Sequence, residues 1–294
     1  MRNRWWMILC AMVFLWGCSE KKTFGKSAET DYHKGQLTIT TDESFKGVAE
    51  ALAGAYMISY PETEVKVEVK KEDFGFLDLL NDKTKLVVMS RKLNEAERQA
   101  YDKQVKLKFQ PAYFAADAVV FIVPKTSDKT KISMAELEKE LASDHRKIIF
   151  DGTNSGNLNF VAQKFGKKPS ELKFSVINGN ENVIEELDKF PGRIGVVSLN
   201  TFSRMYSQKA QKLKDKVRVL SVVDGGGVAY DPIQPNLQNM TYPFTRELYF
   251  LTNEGFFGIA NGFMRYSCTQ LGQMVVEKEG LQPYYLFKRE VEMR

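Results

Sequence analysis

Hydrophobic and polar positions follow two rhythms along this chain. A period of two marks residues 36–40 and, more strictly, VKVEV at 65–69. A period near 3.6 marks 45–59, where Phe45, Val48, Ala49, Leu52, Ala55, Tyr56 and Ile58 share one face. The first predicts half-buried strands, the second an amphipathic helix with Thr41 or Asp42 as its N-cap. Apolar runs without alternation predict buried strands at 86–89, 118–123 (closed by Pro124), 147–150, 192–198, 217–223 and 247–252. Further strands are expected at 105–109 and 173–177. Helical stretches fall between them: 74–80, from Asn94 onward, 133–141 opened by a Ser133–Glu136 capping box, 158–165, 181–189, 254–264 and 268–279. Strands alternating with helices make this an α/β chain with a mainly parallel sheet.

The stretch that reads most like a site is DGTNSGNLNF at 151–160. It follows the apolar run at 147–150 and opens a helix, so its backbone N–H groups face outward at the positive end of a helix dipole. Gly152 and Gly156 permit close backbone approach. Thr153, Asn154, Ser155 and Asn157 add short polar side chains. The same residues also serve as ordinary N-caps, so the turn needs support from elsewhere in the chain. Two other polar turns close a strand in the same manner: Thr41-Asp42-Glu43-Ser44 and Ser90-Arg91. The triple glycine at 225–227 lacks a following Lys-Ser/Thr and reads as a flexible turn, not a P-loop.

The N-terminus is of another kind. Arg2 and Arg4 precede an apolar run from Trp5 to Trp16, and Leu15-Trp16-Gly17-Cys18 follows. This describes a secretory signal at 1–17, too short for a membrane span. The L-x-G-C ending resembles a bacterial lipobox, which implies lipidation of Cys18, although Trp16 is bulky for its position. Residues 18–34 are polar and aperiodic, as a tether would be.

Composition narrows the chemistry. The 294 residues carry a formal net charge of +5 spread through mixed Lys/Glu segments, which does not call for nucleic acid. Of three cysteines, Cys10 goes with the signal and Cys18 with the lipid, leaving Cys268 as a small buried hydrophobe without a disulfide partner. With two histidines, His33 and His145, neither a Ser-His-Asp triad nor a His-rich zinc site is expected. No cofactor or metal is expected either. A hydrolase would have to rest on Asp42 and Asp151 as paired carboxylates, and the chain is not expected to be an enzyme.

Several segments, in order, resemble the phosphate-type substrate-binding proteins of bacterial ABC importers, a branch of the type II periplasmic binding proteins. They are AEALAGAYMISYPETEVKVEV at 49–69, VVMSRKLNEAE at 87–97, AADAVVFIVP at 115–124 and the turn at 154–160. GRIGVVS at 192–198, YPFTRELYF at 242–250 and the segment at 263–280 complete the series. The resemblance implies an α/β, two-lobed type II fold with two crossing hinge strands, near 115–123 and 242–250, and a ligand cleft between the lobes. Lobe one would be 35–117 with 240–294, and lobe two 118–239. It further implies an envelope lipoprotein, anchored to the membrane, monomeric, delivering phosphate or a related oxyanion to an importer permease. Thr41, Asp42, Ser44, Ser90, Arg91, Asp151, Thr153, Asn154, Ser155, Gly156 and Asn157 would line the site. Arg91 would be its main cation, unless a salt bridge to Glu95 or Glu97 claims it.

Two departures bear on the ligand. The family's Gly/Ser/Thr cradle is replaced here by Thr41-Asp42-Glu43-Ser44. The family also commonly places an Arg just ahead of its Ser-Gly-Thr turn, where this chain has Phe150 and Asp151. Asp42 or Asp151 could accept the proton of a protonated phosphate and so discriminate against sulfate. The alternatives are the same fold taking another polar or cationic ligand, or an envelope scaffold lipoprotein outside transport.

Overall fold

The computed structural model describes residues 32–287. The signal at 1–17, Cys18 and most of the tether lie outside them. The strands are β1 (Gly35–Thr41), β2 (Thr63–Val69), β3 (Leu86–Met89), β4 (Ala112–Pro124), β5 (Lys131–Ser133), β6 (Ile148–Phe150) and β7 (Ser175–Val176). They continue as β8 (Ile194–Ser198), β9 (Val217–Val219), β10 (Ser221–Val223), β11 (Ala229–Tyr230), β12 (Thr245–Thr252) and β13 (Gln282–Pro283). Ten of them form one sheet whose main path runs β2-β1-β3-β12-β4-β8-β6-β7. β2, β1 and β3 are parallel at one end, and β8, β6 and β7 are parallel at the other. The two antiparallel strands β12 and β4 join them.

β4 is the spine. Its first half pairs with β12 and β13, and its second half pairs with β8 and β9. One apolar core gathers residues between Ala118 and Phe244. A second gathers Leu37 through Ala115 together with Leu248 through Leu281. The chain therefore builds two lobes about two crossing strands, as the resemblance implied. Among the described residues no helix is long and apolar enough to cross a membrane.

The strict alternation at 65–69 lies inside β2, and the helix expected at 45–59 is α1 (Lys46–Ser59), preceded by one turn of 3-10 helix. Asp42 caps that turn by accepting from Ser44 N. α2 (Glu72–Leu80) and α3 (Glu95–Gln104) follow, the latter opened by a full capping box of Asn94 with Glu97.

Four expectations need correction. Residues 105–109 form no strand: Lys106 takes a left-handed φ of 58°, while Phe109 turns back onto Tyr101 beneath the Arg98 guanidinium. The run at 217–223 splits at Leu220, so that β9 joins the main sheet while β10 joins a small sheet with β5 and β11. The helix expected from 254 begins only at Ile259, because the Glu254 carboxylate folds over to accept from Ala260 N and Asn261 N. Cys268 is half-buried rather than buried, and burial pushes its thiol up to about 11.

Candidate functional site

The site begins on the crossing strands. Register places Arg246 of β12 opposite Asp117 of β4, and each is 1% exposed. Arg246 donates to Asp117 Oδ2 through Nε at 3.2 Å and Nη2 at 2.9 Å. The other oxygen, Oδ1, accepts from Asn200 N, and Ser198 Oγ donates to Oδ2 at 2.8 Å. A buried charge so fully bonded is tolerable, whereas either partner alone would not be.

The same guanidinium reaches into both lobes. Nη1 donates to Ser90 Oγ at 3.2 Å, and Nη2 to Asn157 Oδ1 at 2.8 Å. Its plane also lies 4.8 Å over the Phe45 ring. Ser90 directly follows β3, and Asn157 belongs to the first turn of the helix Gly156–Lys164. The apolar strand and the Ser155 cap, whose Oγ accepts from Leu158 N at 3.3 Å, aim that turn at the crossing strands.

From Asn157 the polar chain continues. Its Nδ2 donates to Asn180 Oδ1 at 2.9 Å. Asn180 Nδ2 donates to Ser44 Oγ at 3.0 Å and to Asp151 Oδ2 at 3.1 Å. Ser44 Oγ donates to Asp42 Oδ1 at 3.0 Å, and Ser155 Oγ to Asp151 Oδ1 at 2.7 Å. Lys71 reaches across, donating from Nζ to the Asp151 carbonyl at 2.9 Å and lying 3.7 Å from its carboxylate. Gly156 explains how the lobes come so close: a Cβ there would overlap the Glu72 carboxylate and the Ser90 hydroxyl.

The electrostatics are those of crowded, buried acids. Burial raises Asp151 above the carboxylate range, and the charge of Asp42 adds to this against Lys71, Ser155 and Asn157. Glu72 is raised to about 7, chiefly by burial, against the pull of Arg91, Ser90 and Arg246. Ser90 Oγ donates to Glu72 Oε2. Two carboxylate oxygens in this region, Asp42 Oδ2 and Glu72 Oε1, are buried and accept no hydrogen bond.

Of the residues expected to line the site, Asp42, Ser44, Ser90, Asp151, Ser155 and Asn157 are brought into this one network, and Gly156 is at its closest approach. Thr41 is buried beside it, its hydroxyl turned to the Asp42 carbonyl at 3.3 Å. Thr153 and Asn154 bond to each other at 3.3 Å on the more exposed outer part of the turn.

Arg91 goes elsewhere. Its guanidinium is held bidentately by Glu97 at 2.7 and 2.8 Å and by Asp73 at 2.6 Å, with Glu72 at 3.5 Å. The salt bridge to Glu97 claims it, and Glu95 takes no part. The guanidinium at the centre of the network is that of Arg246, on a strand whose sequence signal was only its apolar character, with Lys71 a second cation at the edge. A charged residue inside each of two apolar runs, Asp117 in one and Arg246 in the other, was the available clue. Lys71, Glu72 and Asn180 carried no such mark.

Two cavities flank the network, one of about 300 Å³ walled in part by Ser90 and Arg246, the other of about 500 Å³ walled in part by Ser44 and Asn180. No group of three or more His, Cys, Asp or Glu residues among those described could hold a metal ion.

Residues 26–270 match the PBP superfamily domain. The chain belongs to that superfamily. The PstS relative and the phosphate-transport neighbours below are named as binding proteins and receptors, not as enzymes. Among curated relatives, Protein SphX of Synechococcus elongatus is 22% identical over 246 residues, covering 77% of this chain and 70% of its own. Phosphate-binding protein PstS of Pseudomonas aeruginosa is 22% identical over 280 residues, covering 85% and 83%. The fold is shared with a Clostridium perfringens protein assigned as a phosphate ABC transporter substrate-binding protein and solved with bound phosphate. That match has a TM-score of 0.68 at 18% identity over 85% of this chain and 100% of the other. An ABC-type phosphate transport receptor from Vibrio cholerae gives 0.62 at 17%, with the same coverage.

Proposed function

We propose that this PBP-superfamily protein is the solute-binding component of an ABC importer and captures phosphate or a related protonated oxyanion between its lobes. Cys18 would tether it to the membrane, facing the periplasm or exterior, as a monomer serving the permease. Lobe one would comprise 35–117 with 240–294, and lobe two 118–239. The observation that carries the reading is Arg246, whose one guanidinium bonds Ser90 from the first lobe and Asn157 from the second. An oxyanion entering there would meet a permanent cation shared with Asp117 and the N-terminus of a capped helix, and the hydroxyls of Ser44, Ser90 and Ser155 would turn to it from Asp42, Glu72 and Asp151. The names of the PstS, C. perfringens and V. cholerae relatives support phosphate as the first ligand to try.

The acids select the protonation state. An acceptor such as Asp42 Oδ2, buried and without a donor, takes a hydrogen bond from a phosphate that still carries a proton, and a fully ionised sulfate has none to give.

A second reading, the same cleft taking a cationic or neutral polar molecule, is favoured by one observation. Asp42 Oδ2 is buried without a donor, and a ligand N–H would satisfy it.

A thermal-shift series on the chain from Ser19, at fixed pH and salt, separates them. Stabilisation by phosphate and not sulfate is the expected result. Stabilisation by polyamines or amino acids, with none by any oxyanion, would transfer the assignment to the second reading. No response to any of them would leave the scaffold alternative.

A further inference from the structure

The 300 Å³ cavity beside Arg246 is larger than a bare oxyanion requires. It falls at the lower end of pockets that hold small organic molecules, roughly 300–1,000 Å³. Its walls divide by chemistry. Tyr113, Tyr249 and Phe160 supply aromatic surface, the two tyrosine rings lying 5.4 Å apart. Lys92 from the first lobe and Lys164 from the second supply charge, on either side of a direct bond between the lobes from Gln163 Nε2 to the Lys92 carbonyl at 2.6 Å.

The lysines differ from the arginines in the same wall. Arg91 is spent on Glu97, Asp73 and Glu72, and Arg246 on Asp117. Neither Lys92 nor Lys164 pairs with a carboxylate among the described residues, although surface lysines on this chain commonly do. Their like charges oppose one another: Lys164 is held below the usual lysine range by burial and then by Lys92. Two ammonium groups presented from opposite lobes, with aromatic surface behind them, are poorly arranged for stability and well arranged for an anion that carries an apolar body. Glu247 in the same wall offsets part of the charge and offers an acceptor to a hydroxyl of that body.

We propose that this cavity is a ligand subsite, and that the solute is a phosphate monoester with an aromatic or compact apolar body rather than free phosphate. This rests on the oxyanion reading of the cleft. The phosphoryl head would lie between Lys92, Lys164 and the Ser90–Arg246 wall, and the body against Tyr113, Tyr249 and Phe160. Binding draws the two lobes together because each supplies one of the ammonium groups.

The test is calorimetric titration of the chain from Ser19 with inorganic phosphate and with phenyl phosphate, repeated on the Lys92→Gln/Lys164→Gln double variant. Both lysines lie on exposed positions without an ion pair to a carboxylate among the described residues, so the variant keeps its fold. Phenyl phosphate should bind at least tenfold more tightly than phosphate, and the double variant should lose at least that factor. Phosphate binding as well as or better than phenyl phosphate would overturn the subsite while upholding the oxyanion reading. Phenyl phosphate binding unchanged by the double variant would place the ligand elsewhere and overturn the subsite. Binding of neither anion would overturn both.

Discussion

At the scale of single residues, the cleft is governed by how its buried charges are matched. Arg246 and Asp117 are partners in a pair almost wholly out of solvent. Arg246→Met removes one of them and leaves the other buried and unpaired. The expected cost is about 3–5 kcal/mol of unfolding free energy, measured by chemical denaturation, with loss of oxyanion binding. Arg91→Ala is expected to cost a similar amount, about 3–5 kcal/mol, because Glu72, Glu97 and Asp73 lose their shared cation. A destabilisation under about 1 kcal/mol together with a large affinity loss would instead return Arg91 to the ligand.

Glu72 gives a pH dependence with a definite sign. Its carboxyl is raised from 4.5 to about 7 in the folded chain, so between those values the folded state holds a proton that the unfolded state has released. Stability from this group is therefore greatest below pH 4.5 and falls as pH rises to 7, by about 3 kcal/mol in all. Glu72→Gln should flatten the slope of unfolding free energy between pH 5 and 8. An unchanged slope would assign the titration to another group, Asp151 being the next candidate.

At the scale of elements, the close approach of the helix Gly156–Lys164 to the end of β3 depends on one missing side chain. Gly156→Val is expected to hold the lobes apart, seen as a larger radius of gyration by small-angle scattering with an unaltered circular dichroism spectrum. An unchanged radius would mean that Glu72 and Ser90 rearrange around the new side chain. Elements are also where the sequence was most informative. β2 showed its alternation, the helix Met134–Ala142 its Ser133 cap, and β4 and β12 their apolar runs. All of these are local signals, set by neighbours a few positions away. The misread segments are those where a distant contact decides. Val-Lys-Leu-Lys-Phe at 105–109 alternates like a strand, yet it joins no sheet, and Phe109 turns to Tyr101 instead. Glu254 looked like a helix residue and became the acceptor for that helix's first N–H groups. Arg246 was hidden for the same reason. Nothing within its strand tells of Ser90 or Asn157, which are 156 and 89 positions away.

At the scale of the whole molecule, the sign of the cleft and the state of the anchor are separate questions with separate measurements. The anchor reading predicts that Cys18→Ser moves the protein from the membrane fraction to the soluble extracytoplasmic fraction without changing its melting temperature. Retention in the membrane would mean that the apolar run at 5–16 stays in place as the anchor.

The placement of β12 between β3 and β4 has a consequence for how the chain is made. Synthesis delivers β3 and β4 about twenty residues apart, yet they are not neighbours: their common partner arrives only with residues 245–252. Through all of that interval the first lobe has two unpaired edges, Val- and Ala-rich, facing a slot one strand wide, a geometry that invites pairing with another chain. The intervening residues can meanwhile assemble most of their own core. A nascent chain halted near residue 240 should therefore contain an ordered second half and an incomplete first, and should depend on chaperones until the last strand slides in.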